Sequence, residues 1–261
     1  MYDGTIDTVR SAISTRKKPP KRANSRRVAR SRKLGISPPD YADHVAEREA
    51  CLVDVYDTLL SCDFVAHRAE LPTLAGLSAQ AWGEGYRQLG GALGIGQLSK
   101  AAGFERILRA GGVQARPDLV RALVDLDREL LLRSARLYDD ALPFLWALRS
   151  RGIKIAIVSN CSEHTRDLLE SNGVAALADT LALSYEVGAE KPAEEIFSYA
   201  LDQLGVTARR ALFVDDQPSY CAGAAAMGIT AVQIARGELD GKVPAQGTTV
   251  VRALSDVVAM L

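Results

Sequence analysis

Four short stretches carry side chains able to do chemistry together. CLVDVYDTLLS, residues 51 to 61, ends an apolar run on Asp54, with Asp57 three positions later. Ser159 and Asn160 follow IAIV, Asp215 and Asp216 follow LFV, and Lys191 stands in GAEKPAEEIF, just before a helix expected to open at Pro192. A carboxylate can attack phosphorus to give an aspartyl-phosphate, while a hydroxyl and an ammonium hold the equatorial oxygens of the transferring group. Acidic side chains beside an anionic substrate would repel it, and Mg2+, which prefers carboxylates, waters and phosphate oxygens, resolves that conflict. Taken singly, each feature has a plain structural explanation: strand-end Asp and Ser-Asn pairs cap helices or shape turns, and a lysine before proline is usually exposed. Their common place at strand ends argues for one site.

That argument needs a sheet. IKIAIVSN (153 to 160), ALFVDD (211 to 216) and ITAVQIA (229 to 235) are nearly continuous apolar runs, as is the segment at 51 to 55, the pattern of strands buried on both faces of a parallel sheet. Helices are expected at about 140 to 151, 163 to 172, 192 to 204 and 218 to 227, with Gly152, Gly173, Gly205 and Gly228 where they end. The alternation predicts an α/β fold, a doubly wound parallel sheet whose ligands gather beyond the carboxyl ends of its strands. Between the first and second strands, AQAWGEGYRQLGGAL, SKAAGFERILRA and DLVRALVDLDRELLLRSARL place apolar residues at helical spacing, Pro117 opening the third. Residues 63 to 138 are therefore expected to form an inserted helical cap on a core made of 45 to 62 and 139 to 261.

Lys plus Arg (32) equals Asp plus Glu (32), so net charge does not direct the whole chain to nucleic acid or membrane. Residues 16 to 33 nevertheless hold ten basic side chains and no acidic one. With Pro19, Pro20, Pro38 and Pro39, this predicts that residues 1 to 44 form a disordered basic arm, the one place where nucleic acid could be held. No stretch of about 20 apolar residues is present to span a membrane, and the arm lacks the apolar h-region expected of a secretory signal. Cys51, Cys62, Cys161 and Cys221 lack metal or disulfide spacing and read as small buried hydrophobes in a reducing, cytoplasmic setting.

The order DVYDTLL, IVSN, EKP and FVDDQPSYCAGA resembles the haloacid dehalogenase-like hydrolase superfamily, with a helical cap after the first motif, over about residues 50 to 236. The resemblance implies a Rossmann-like core and Mg2+-dependent hydrolysis of a small phosphorylated metabolite. It also implies Asp54 as nucleophile, Thr58 supporting the motif's turn, Ser159 as phosphate-binding hydroxyl with Asn160 beside it, and Lys191 as the motif lysine. Asp216 would be a direct Mg2+ ligand and Asp215 a secondary one, with Asp54 and the backbone carbonyl of Tyr56 completing the set.

The chain departs from the family's phosphatases at Tyr56, where they carry a second Asp that protonates the leaving oxygen; losing such a group typically costs about 10²- to 10⁴-fold. Asp57, one residue further on, is expected to shape the turn. Tyrosine at that position is similar to the dehalogenase branch, whose halide leaves without a proton. That branch, however, lacks the paired acid that Asp215 and Asp216 supply. Three readings stand: a phosphohydrolase suited to acyl phosphates and other good leaving groups, a 2-haloacid dehalogenase-like hydrolase with Arg87 as the nearest halide-binding candidate, and a catalytically degenerate binding domain, to which Tyr220 adds weight. His44, His67 and His164 share no metal spacing, with His164 expected at the surface. Trp82 and Tyr86 share a helix face, as core or as substrate entrance.

Overall fold

The computed structural model describes residues 48–237, 243–244 and 247–261; the expected basic arm and His44 lie outside them. Numbered along the chain, the strands are β1 (Ala50–Val53), β2 (Leu60–Cys62), β3 (Ala135–Leu137), β4 (Lys154–Ser159), β5 (Thr180–Leu183), β6 (Ala211–Asp215), β7 (Thr230–Ile234) and β8 (Thr249–Val251). Six of them form one parallel sheet in the order β5-β4-β1-β6-β7-β8. The order reverses at β1, between β4 and β6, which makes its carboxyl end the switch point where such sheets bind ligands.

The helices are α1 (Val65–Ala75), α2 (Ala79–Gly94), α3 (Lys100–Ala110), α4 (Pro117–Ser134), α5 (Ala141–Ser150), α6 (Thr165–Ser171), α7 (Ser184–Val187), α8 (Glu194–Leu204), α9 (Pro218–Ala226) and α10 (Leu254–Val258). Side chains alternate across β1. Cys51 and Val53 pack with Phe144 and Leu148 of α5 and Leu254 of α10, whereas Ala50 and Leu52 face Ile196 and Phe197 of α8. Both faces are covered, which is why the strands read as unbroken apolar runs.

Helices α1 to α4 bury a separate core around Trp82, Phe104, Leu123 and Leu130. Ser78 and Ser99 accept the Ala81 and Ala102 N–H groups at 3.1 and 3.2 Å, fixing the starts of α2 and α3. Pro117 occupies the first turn of α4, where a missing N–H costs nothing. The chain leaves and re-enters the main core through the antiparallel pair β2 and β3, with Leu60 opposite Leu137.

The structure differs from the sequence expectation in detail. β2, β3, β5 and β8 have three or four residues each and escape any periodicity test. Pro192 does not open α8, which begins two residues later at Glu194. Cys51 and Cys221 are buried and Cys62 and Cys161 half-buried, all four free. No helix among the described residues is long and apolar enough to cross a membrane.

Candidate active site

Asp54 follows the last residue of β1, and its N–H donates to Val214 O at 3.0 Å. Because Val53 pairs with both Ile157 and Val214, one further residue brings Asp54 abreast of Asp215 at the sheet's carboxyl edge. The following turn is tied by the Val55 carbonyl, which accepts the N–H groups of Thr58, Leu59 and Leu60. Asp57 sits there at φ 58°, in the left-handed region, with its N–H on Leu60 O at 2.7 Å. The turn role expected of Asp57 is therefore visible in its backbone.

Asp54, Asp215 and Asp216 are all buried, and each offers a carboxylate oxygen within 4.8 Å of the others. Lys191, 2% exposed, reaches between two of them: its Nζ donates to Asp54 Oδ1 at 2.5 Å and to Asp215 Oδ2 at 2.6 Å. Three carboxylates against one ammonium, all out of water, is a strained charge balance. Burial pushes the Asp54 carboxyl up despite the lysine, and it pushes Asp215 up to about 7. Burial alone would lower the Lys191 ammonium, but Asp54 and Asp215 together hold it above the usual lysine range. The oxygen-only donor set fits a hard divalent cation.

Thr58 and Ser159 are fully buried at the same edge, and among the described residues neither hydroxyl oxygen has a hydrogen-bond partner. Buried hydroxyls without partners are costly, which suits groups kept for a ligand. Asn160 has a different first task. Its Oδ1 accepts the Lys191 N–H at 2.7 Å and its Nδ2 donates to Lys191 O at 2.8 Å, clamping the backbone that delivers the ammonium. Tyr56 hydrogen-bonds Thr165 Oγ1 through its hydroxyl at 3.1 Å, and burial pushes its phenol far up. A phenol held so firmly protonated is a poor general acid.

Several supporting residues went unread in the sequence. Gln217 donates its N–H to Asp215 Oδ1 and its Nε2 to Asp216 Oδ2, both at 2.7 Å. Tyr220, read as a mark of degeneracy, lies with its ring centre 5.0 Å from Lys191 Nζ, and Phe213 lies 5.5 Å away, so aromatic faces stabilise the buried cation. Arg236, just past β7, donates to Thr58 O from Nε and Nη2 at 3.1 and 2.5 Å and pairs with Asp140 at 2.8 Å, holding the turn after Asp54 against the start of α5. Its place beyond a strand end was the available signal. Helix α9 approaches the Lys191 loop because residue 223 is glycine: an added Cβ would lie 2.8 Å from Pro192 O.

The remaining candidates separate. Arg87 is exposed and paired with Glu84 on its own helix. His164, expected at the surface, is half-buried with Nε2 3.9 Å from Asp127 Oδ2. Trp82 and Tyr86 pack on Phe104, with ring centres 5.3 and 6.1 Å away, and they also line a cavity of about 580 Å³ together with Tyr56 and Asn160.

The pattern of the haloacid dehalogenase-like hydrolases matches residues 49–228. The chain is 29% identical to a glyceraldehyde 3-phosphate phosphatase of Methanopyrus kandleri over 75% of its own length and 88% of that protein. It is 33% identical to a phosphatase of Mycobacterium tuberculosis, over 48% of its own length and about half (55%) of that relative. A crystal structure described as a HAD phosphatase from Thermococcus onnurineus superposes with a TM-score of 0.54 at 27% identity, covering 81% of this chain and 97% of the other.

Proposed function

The chain belongs to the haloacid dehalogenase-like hydrolase family, and from that footing we propose that it is a Mg2+-dependent phosphohydrolase acting through an aspartyl-phosphate on Asp54. The observation that carries this reading is the buried triad of Asp54, Asp215 and Asp216 closed by Lys191 at one sheet edge. The phosphatases among its relatives support it.

Asp54, Asp216 and the Tyr56 carbonyl would hold Mg2+, with Asp215 in the secondary position that its bond to Lys191 favours. When bound there, Mg2+ supplies the positive charge that lets a phosphoryl group approach three carboxylates. An Asp54 oxygen attacks phosphorus, the bond to the leaving oxygen breaks, and its electron pair departs with that oxygen. Lys191 and the hydroxyls of Ser159 and Thr58 stabilise the equatorial oxygens in this reading. Water then cleaves the aspartyl-phosphate, giving inorganic phosphate and restoring Asp54. With a phenol at residue 56 the leaving group departs without a strong acid, so acyl phosphates and other small phosphorylated molecules with good leaving groups suit the site best.

Tyr56 also favours a second reading, dehalogenation, which the paired Asp215-Asp216 opposes and to which the exposed Arg87 lends nothing. Phosphate release from acetyl phosphate and halide release from a 2-haloacid, each with Mg2+ and with EDTA, in the wild type and in Asp54→Asn, test the choice. Release that needs both Mg2+ and Asp54 supports the proposal. Halide release that survives EDTA points to dehalogenation, and silence in both assays points to a binding domain.

A further inference from the structure

We propose, resting on the phosphohydrolase reading, that the cavity beside Tyr56 receives the substrate's leaving group, and that the part of this group beyond its bond to the phosphoryl group is uncharged and largely apolar, with an aromatic-sized body and one hydrogen-bonding terminus. Size comes first. A cavity of about 150 Å³ holds a benzene molecule, whereas this one measures about 580 Å³. A two- or three-carbon leaving group would leave most of it to water, against walls formed by Leu71, Trp82 and Leu131.

Charge decides the rest. At the end of the cavity formed by the helical insert, Lys100 and Asp127 are buried together, Nζ to Oδ2 2.6 Å, with side chains 7% and 3% exposed. The ammonium also donates to Tyr86 Oη at 3.2 Å. This pair is already neutral, so a carboxylate brought there would be desolvated beside Asp127 with no unused cation to meet it. Arg68, the other cation lining the cavity, is exposed, and water screens it. A hydroxyl meets no such opposition. Among the described residues His67 Nδ1 is buried without a partner, and burial lowers the imidazole, which suits that nitrogen to accept a hydrogen bond from an uncharged terminus.

The test uses acyl phosphates whose leaving carboxylates have nearly equal pKa, so that the missing acid at residue 56 cancels: acetyl, 3-phenylpropionyl, 3-(4-hydroxyphenyl)propionyl and 3-(4-carboxyphenyl)propionyl phosphate. The expected kcat/KM for the phenyl compound is at least tenfold above that for acetyl phosphate, with the hydroxylated compound as good or better and the carboxylated one at least tenfold below the hydroxylated. Gly83→Leu fills the cavity mouth. An added Cβ there meets nothing within 4 Å, and leucine raises helix propensity. In this variant the phenyl-to-acetyl ratio should collapse toward one. His67→Phe, which removes the buried Nδ1, should erase the distinction between the hydroxyl and plain phenyl compounds. An equal or better acetyl substrate, a preferred carboxylate, or a ratio unchanged in Gly83→Leu overturns the proposal. If no compound is turned over, the phosphohydrolase reading fails separately. Calorimetry with 3-(4-hydroxyphenyl)propan-1-ol then decides the cavity: binding weakened at least tenfold by Gly83→Leu sustains it, and absent or unchanged binding overturns it.

Discussion

Replacing Lys191 by methionine keeps an unbranched chain of similar length and removes the single ammonium between Asp54 and Asp215. Both partners are buried, as is Asp216 beside them, so the variant leaves three neighbouring carboxylates without the ammonium that joins two of them. Removing one member of a buried ion pair costs about 3–5 kcal/mol. For a domain of 150–250 residues that corresponds to a fall in Tm of about 6–20 °C in EDTA. The carboxylates that lose their lysine repel each other more and should gain more from a cation. A ligand at 100 times its Kd stabilises by about 2.7 kcal/mol, so saturating Mg2+ should recover a large part of the loss and raise the variant's Tm by more than the wild type's. Thermal unfolding followed by circular dichroism, with EDTA and across Mg2+ concentrations, reads both effects. A Tm within about 2 °C of wild type in EDTA, or a Mg2+ shift no larger than wild type's, would refute the charge balance described for this edge.

Asp54→Asn should move stability the other way: the native site raises the Asp54 carboxyl, so it favours the neutral form, and Tm in EDTA should hold or rise while turnover disappears. A fall of several degrees would contradict this. Tyr56→Asp should raise kcat/KM for simple phosphate esters by about 10²- to 10⁴-fold with little change for acyl phosphates; equal gains in both classes would mean that residue 56 acts by some other route. Asp140 supplies a pH signature. Burial pushes its carboxyl up, but Arg236 and the Leu254 N–H prevail and hold it below its ordinary value of 3.8. The unfolded chain therefore binds the proton more tightly, so this stabilisation is present above about pH 4 and is lost as pH falls through the lower native value. Asp140→Asn should flatten that acid limb in denaturant titrations, and an unchanged limb would contradict the assignment. Gly223→Ala drives a Cβ against the Pro192 carbonyl and should cost about 1–3 kcal/mol, together with activity, because it displaces the loop carrying Lys191; a stable, fully active variant would show that the close approach is dispensable.

What the sequence revealed was what repeats or sits at strand ends. Buried on both faces, β1, β4, β6 and β7 read as largely apolar runs, and β1, β4 and β6 each end on the polar residues that now share an edge. Gly205, which closes α8 at φ 63°, marks its boundary because a left-handed cap excludes most side chains. β2 and β3 were illegible because three residues carry no period, and what specifies them is pairing across more than 70 positions. Nothing in the sequence sets Lys100 and Asp127 apart from other charges on amphipathic helices, and only the packing of α3 against α4 buries them together. Tyr220 misled for a related reason: its worth lies in the ammonium it faces, and Lys191 is brought to it by a different loop.

The most direct test of the central claim is to mix the protein with Mg2+ and acetyl phosphate, quench in acid within a single turnover, and examine the peptide containing residues 51 to 61 by mass spectrometry. The account predicts a phosphoryl group on Asp54 that is absent from Asp54→Asn and is lost when the quench is delayed. Phosphate release at full rate with Asp54 never modified, or a phosphoryl group carried on another residue, would contradict it.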